Sequence, residues 1–272
     1  MPERILVTGG TGTVGRVVAQ LLLDSGAHVR ILSRGRRAGG PTRQAEYVIG
    51  DVKTGEGLTE AVAGVDAIVH CVDPVHHVVD AALTAGHPHL VYISIVGIDR
   101  IPLGYYRRKL AEERLISASG LPWTVLRATQ FHDLVAVMLR GLGALPIMVV
   151  PAGFRFQPVD VRDVGAELAE LALAEPAGRV PDIAGPVVLP VADLARRYLA
   201  AVGKRRPVVP IAVPGRVARG YRSGANLAPD RAVGTVTFDR YLEERLAAGT
   251  MPYSDAIRSY LRFPRSRGPA AE

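Results

Sequence analysis

Gly9, Gly12 and Gly15, set in the segment ILVTGGTGTVG, constrain this chain more than any other feature. The apolar run Ile5–Val7 stops at the first of them, and an apolar helical stretch, Val17–Leu23, follows the last. Gly9 permits a tight turn, Gly12 lets the backbone approach a pyrophosphate, and Gly15 allows a helix to pack closely on a strand. The helix start then offers unpaired N–H groups and the positive end of its dipole to phosphate. Gly9, Thr11, Gly12, Thr13, Val14 and Gly15 are therefore candidate dinucleotide contacts. With 29 glycines in 272 residues the spacing alone is weak. The strand before it, the helix after it and a second strand at His28–Ser33 give it weight against an ordinary glycine turn.

Short β-rich runs alternate with helical patterns through the first two thirds of the chain. Strands are expected at Arg4–Thr8, His28–Ser33, Glu46–Ile49, Ala67–Cys71, Leu90–Ser94 and Thr124–Arg127. Helices are expected at Val14–Asp24, Gly57–Val62, Val75–Ala85, Tyr105–Ser119 and Phe131–Leu139. This order predicts an α/β fold, a Rossmann-type doubly wound parallel sheet with helices on both faces. After Leu145 prolines become frequent, and Pro158–Leu173 reads as a strand end plus an amphipathic helix. The expected organisation is a dinucleotide-binding domain over 1–184, a small, mostly helical substrate-cap region over 185–264 and a disordered tail over 265–272. Helices in the cap region are expected at Val191–Ala201, Phe238–Ala248 and Tyr253–Leu261.

Composition narrows the function classes. One cysteine, Cys71, rules out an intramolecular disulfide and a cysteine-based zinc site. The net charge of +7 is almost entirely arginine, since Lys53, Lys109 and Lys204 are the only lysines. The arginines are scattered, with no aromatic-interleaved basic stripe, so nucleic acid is not an expected partner. His76 and His77 lack the companions of a metal site, and no metal is expected. No basic-then-apolar leader precedes Arg4, and the apolar stretches are too short to span a bilayer, so no membrane association and a cytoplasmic location are expected.

The end of the second strand bears on which dinucleotide is bound. A site for NAD places Asp or Glu there to hold the ribose hydroxyls. This chain has Ser33-Arg34-Gly35-Arg36-Arg37. A guanidinium donates two parallel charge-assisted hydrogen bonds to a phosphate. NADPH/NADP+ is the expected cofactor, with Arg34 first and Ser33 and Arg37 assisting. The competing reading is a solvated basic turn. Asp51 and Val52, after the third strand, are placed to meet the adenine, although Asp51 also suits a generic strand-to-helix turn. Cys71 and Val72, after the fourth strand, would flank the middle of the cofactor.

TGGTGTVG, SRG, GDV, YYRRKLAEERLISASGLPWTVLRATQF and FQPVDVRDV together resemble the atypical short-chain dehydrogenase/reductases, specifically the NmrA-like NAD(P)-binding oxidoreductases. The resemblance covers roughly Arg4–Gly185. It implies an NADP(H)-dependent reductase acting on small carbonyl or unsaturated compounds. The group also contains proteins that sense the dinucleotide without turnover.

Carbonyl reduction needs a hydride source, a proton donor and a group to hold the developing oxyanion. Tyr105 and Lys109 stand four apart on the helix after the fifth strand, where the family's Tyr-x-x-x-Lys lies, and so share a face. An ammonium there lowers the phenol's pKa and binds the nicotinamide ribose. Ser94 is the candidate donor to the substrate oxygen, eleven residues before Tyr105. Its competing reading is a simple strand-end residue. Phe131 and His132 follow the sixth strand, where substrates bind in open sheets, and His132 is the alternative proton donor. The expected activity is hydride transfer from NADPH to a small-molecule substrate, a quinone, enone or ketone. The alternatives are a dinucleotide-sensing regulator and an enzyme with retained cofactor, an epimerase or cyclase. The sequence does not set the oligomeric state.

Overall fold

Ile5, Leu6 and Val7 have no solvent exposure, and the strand they form, β1 (Arg4–Thr8), lies inside the main sheet with a strand on either side. The protein is described from a computed structural model, residues 3–35 and 44–249. Burying each large aliphatic side chain of this strand contributes about 1.5–3 kcal/mol. A continuous apolar run of this kind belongs to a strand covered on both faces.

Helix α1 (Thr13–Asp24) follows the glycine turn and returns the chain to β2 (His28–Ser33), then β3 (Glu46–Ile49). Past α2 (Leu58–Val62), β4 (Ala67–His70) pairs with the other side of β1. Helix α3 (His76–Thr84), β5 (His89–Ile95), α4 (Gly104–Ala118) and β6 (Trp123–Ala128) continue outward. After helix α5 (His132–Leu142) the chain forms strands β7 (Met148–Pro151) and β8 (Arg155–Phe156), then α6 (Val161–Leu173) and β9 (Gly178–Arg179). The main sheet has seven strands in the order β3-β2-β1-β4-β5-β6-β9, all parallel. Strand order reverses between β1 and β4, which opens a crevice at their C-terminal ends.

One face of the sheet packs on α1 and α6, through Val14, Val18, Leu22, Val164 and Leu168. The other packs on α2, α3 and α4, through Leu58, Val78, Val79 and Ile116. Asp160 caps α6 by accepting from the Arg162 backbone N–H at 2.8 Å. The expected α/β doubly wound sheet is therefore what forms.

The remaining elements are β10 (Leu189–Pro190), α7 (Val191–Ala201), β11 (Val208–Ile211), α8 (Arg216–Arg222) and α9 (Phe238–Ala247). They build a separate core around Leu139, Met148, Phe156, Leu194, Tyr198 and Tyr241, drawn from both sides of position 185. Two small sheets hold it, β10 antiparallel to β8 and β11 parallel to β7. Reading 185–264 as mostly helical left out β10 and β11, whose patterns Pro190 and Pro210 interrupt, as Pro151 does in β7. A two-stranded sheet consists of edges, and an edge accommodates a residue that has no N–H to donate. The helix expected at Tyr253–Leu261 and the tail at 265–272 lie outside the described residues. Among the described residues no helix is long and apolar enough to cross a membrane.

Candidate functional site

Gly9 sits at the C-terminal end of β1 with φ of +73°, a conformation that L side chains rarely adopt. A Cβ there would lie 3.1 Å from the Cβ of Val72. At Gly15 a Cβ would come within 2.3 Å of the Gly9 carbonyl oxygen and 2.7 Å of its carbon, so only glycine fits. The Gly12 N–H donates to the Gly9 carbonyl at 2.8 Å and closes the turn. Among the described residues no side chain caps the start of α1, and no acid stands in its first turn. That leaves its opening N–H groups and dipole to an anion. Thr11 and Gly12 are exposed and Thr13 is half-buried, whereas the Val14 side chain is in the core between α1 and the sheet. The loop thus has the shape and the chemistry to hold a pyrophosphate.

At the end of β2, Ser33 is half-buried and its hydroxyl donates to the Gly35 carbonyl at 3.1 Å, while Arg34 is exposed. Arg37 lies outside the described residues. Asp51 Oδ1 accepts from the Lys53 backbone N–H at 2.9 Å and so helps hold its own turn. Val52 beside it is buried. Burial pushes the half-buried Cys71 thiol up to about 12, so it stays protonated.

A polar group that sequence patterning did not single out lies directly behind the glycine turn. His70 is fully buried at the end of β4 and its Nδ1 lies 2.6 Å from the Thr8 hydroxyl. Burial holds the imidazole down at about 3, against the pull of Asp73, so the ring is neutral.

Asp73 is the second residue not singled out beforehand, and it joins the candidate catalytic groups. Lys109 Nζ donates to Asp73 Oδ1 at 2.9 Å and to the Ile93 carbonyl at 3.0 Å. The ammonium also lies 4.1 Å from the centre of the Tyr92 ring, where the negative face of the aromatic attracts it. The Tyr105 hydroxyl donates to Asp73 Oδ2 at 3.1 Å. Helix α4 sets this up, since Tyr105 and Lys109 are one turn apart on the face turned to the ends of β4 and β5. Burial resists ionisation of Asp73, but the Lys109 charge and hydrogen bonds from Lys109 and Glu112 outweigh it and hold the carboxyl below its usual range.

The other candidates are dispersed. Ser94 follows Ile93 on β5, almost completely buried, and its Oγ has no hydrogen-bond partner among the described residues. Phe131 is half-buried against the core on the α1–α6 face and bridges to Val159. His132 is buried under α9, and its Nε2 faces the Val236 carbonyl at 3.0 Å, so that nitrogen carries the proton. Its ring stacks on Tyr241 at 5.0 Å and on Phe238 at 5.8 Å, and burial lowers its pKa. The structure therefore brings Tyr105 and Lys109 together at Asp73, and sets His132 in the C-terminal core. Among the described residues no group of His, Cys, Asp or Glu has the arrangement to hold a metal ion.

A family model described as NAD(P)H-binding matches residues 9–138. The chain is 32% identical over 212 residues to a (4-alkanoyl-5-oxo-2,5-dihydrofuran-3-yl)methyl phosphate reductase of Streptomyces griseus, covering 74% of each chain. It is 29% identical over 225 residues to an NAD(P)H azoreductase of Xenophilus azovorans, covering 77% of each. Among solved structures, an NADPH-dependent quinone oxidoreductase from Escherichia coli superposes with a TM-score of 0.75 at 19% identity, over 89% of this chain and 99% of that one.

Proposed function

Because the chain belongs to the NmrA-like, atypical short-chain dehydrogenase/reductase family of NAD(P)H-dependent oxidoreductases, we propose that it reduces a small quinone, enone or ketone with NADPH, Tyr105 giving the proton. The observation that carries this reading is the meeting of Tyr105 and Lys109 at Asp73, one residue from the Val72 that packs on the glycine turn. The reduced dinucleotide, bound along the ends of β1 and β4, would supply a hydride.

The protein's own residues do the rest. The 9–15 turn and the start of α1 take the pyrophosphate through backbone N–H groups. Arg34, with Ser33 beside it, meets the 2′-phosphate, and the absence of a carboxylate there favours NADPH over NADH. Tyr105 swings its hydroxyl from Asp73 to the acceptor oxygen and releases its proton as negative charge develops on that oxygen. Lys109, fixed by Asp73 and the Ile93 carbonyl, provides the positive charge that lowers the cost of the phenolate left behind. Ser94, whose buried Oγ has no hydrogen-bond partner among the described residues, is the remaining candidate donor to the acceptor oxygen.

The test is NADPH oxidation by the purified protein with menadione, benzoquinone, cyclohexenone and benzaldehyde, with NADH in parallel. Turnover is expected with NADPH, lost in Lys109→Ala and reduced about 100-fold in Tyr105→Phe, in the range of a lost general acid. Turnover unchanged in Tyr105→Phe removes that residue from the mechanism. Tight NADPH binding with no turnover on any acceptor replaces the reductase with the dinucleotide sensor.

A further inference from the structure

Tyr105, Lys109 and Glu112 follow one another at four and three residues along α4, so all three lie on one face of the helix. The first two are accounted for by the reductase reading. Glu112 is not, and in a run such as Lys-Leu-Ala-Glu-Glu-Arg it has the look of a solvated surface charge. The structure puts it elsewhere. Its carboxyl is half-buried and accepts from the Tyr92 hydroxyl of β5, which also lies 3.5 Å from Asp73 Oδ1, so the two carboxyl groups stand side by side. Two carboxyl groups that meet at one hydroxyl share one proton, since neither can lose its own without facing the other's charge.

The electrostatics decide which of the two holds it. The groups acting on Glu112 are Asp73 from the loop after β4, Tyr92 from β5 and Lys109 from its own helix. Burial first, and the Asp73 charge second, push Glu112 up to about 7, against the Tyr92 hydrogen bond and the Lys109 charge. Asp73, in direct contact with the ammonium, is the ionised partner. Tyr92 is held far above its ordinary range, by burial first and then by the charges of Asp73 and Glu112, and so keeps its proton. The result is a neutral acid, a carboxylate and a phenol in line, Glu112 to Asp73 to Tyr105.

We propose that Glu112 stores the proton that Asp73 relays to Tyr105 after each reduction. The step rests on the reading that Tyr105 is the proton donor. Once the Tyr105 O–H bond has broken in favour of the acceptor oxygen and the side chain has swung back, the phenolate faces the Asp73 carboxylate across a hydrogen-bond distance, an arrangement of two anions on one ammonium. The O–H bond of Glu112 then breaks and its proton passes to Asp73. Asp73 gives it to the Tyr105 oxygen and returns to the carboxylate it was. Glu112, left ionised, recovers a proton from water at its exposed edge. A phenolate is a stronger base than a carboxylate, so the transfer runs toward Tyr105. Glu112 touches neither substrate nor cofactor and acts only through Asp73.

Two measurements on the full chain test this. In protein labelled with 13C at the glutamate carboxyls, the resonance that vanishes in Glu112→Gln should titrate near pH 7, and Asp73→Asn should return it toward the usual glutamate range. Titration in that ordinary range in the wild type overturns the shared proton. With menadione, or the panel acceptor that turns over fastest, wild-type kcat should fall as pH rises through about 7. In Glu112→Gln that break should disappear and kcat below it should drop about tenfold, a part of what a general acid supplies. Turnover with superimposable pH profiles in wild type and Glu112→Gln overturns the relay and leaves the reductase standing. No wild-type turnover on any acceptor overturns both.

Discussion

Two walls meet at the loop Cys71–Asp73, and they are built on opposite principles. On one side the 9–15 turn works through missing side chains. Its function depends on backbone, and a single Cβ at Gly15 would fall 2.3 Å from a carbonyl oxygen. On the other side Asp73, Tyr92, Tyr105, Lys109 and Glu112 work through side chains brought from a loop, a strand and a helix. The first wall is fixed by space and the second by charge. A wall fixed by space fails abruptly when anything is added, and one fixed by charge shifts with pH and yields by degrees.

Gly15→Ala breaks the comparison most directly. The clash is with the Gly9 backbone, which has no rotamer to change, so the turn or α1 must move. Overpacking of this kind costs about 1–3 kcal/mol of stability. Displaced N–H groups should also weaken NADPH binding about 100-fold, or about 2.7 kcal/mol. Asp73→Asn is the matching change on the charged wall. It should leave NADPH affinity within about tenfold while turnover falls more steeply, because it frees Lys109 and Tyr105 without touching the turn. Calorimetric titration of both variants separates the walls, and equal losses of affinity would show that they act as one.

The pH dependence of stability sharpens the same contrast, since each wall carries a group with a displaced pKa and the two displacements have opposite sign. His70, behind the glycine turn, titrates at about 3 in the folded protein instead of the ordinary 6.5. Between those values the unfolded chain binds a proton that the folded one does not. His70 therefore makes stability rise with pH, by about 1.4 kcal/mol per pH unit. Glu112 titrates at about 7 instead of 4.5, so the folded state holds the extra proton. Its contribution is fully present below 4.5 and is lost as pH rises through about 7, the reverse slope. Buried His89 and His132, both lowered, add to the His70 side. Over the overlap from 4.5 to 6.5, Glu112→Gln should steepen the rise of stability with pH by about 1.4 kcal/mol per unit. His70→Asn should flatten it by the same amount. Urea melts across that range read both slopes.

The first wall was legible in the sequence and the second only half so, for a reason these residues make plain. Glycine placement is a local property, and Gly9, Gly12 and Gly15 declare their strand, turn and helix within eleven residues. The six longer strands of the sheet were likewise readable from short apolar runs, while β9, with two residues, carries no pattern at all. Tyr105 and Lys109 could be paired because a helix relates residues four apart. Asp73 and Glu112 could not, because their roles come from contacts across 32 and 39 residues that only the crossing of β4, β5 and α4 creates. The one readable hint was the spacing of Glu112 three residues beyond Lys109 on the same helical face. His132 shows the opposite error. Its position after β6 suggested the crevice, but α9, far along the chain, covers it and turns the ring into a core residue bonded to Val236.

Arg34 offers the smallest test, and it asks whether the glycine wall is purely a matter of space. The residue is exposed at the end of β2, so any contact it makes with a 2′-phosphate is screened by water and salt. A charge-assisted hydrogen bond in such a place contributes about 1–2 kcal/mol, far less than in a dry site. Arg34→Ala should therefore raise the Kd for NADPH about tenfold and leave that for NADH unchanged, with the difference shrinking as salt is raised. Equal loss for both dinucleotides would mean that the arginine shapes the turn instead of reading the phosphate. No loss for either would place the discrimination in the backbone of the loop. In the expected outcome affinity comes from the turn and preference from one exposed cation, so Arg34→Asp should move the preference toward NADH without disturbing Gly9 or Gly15.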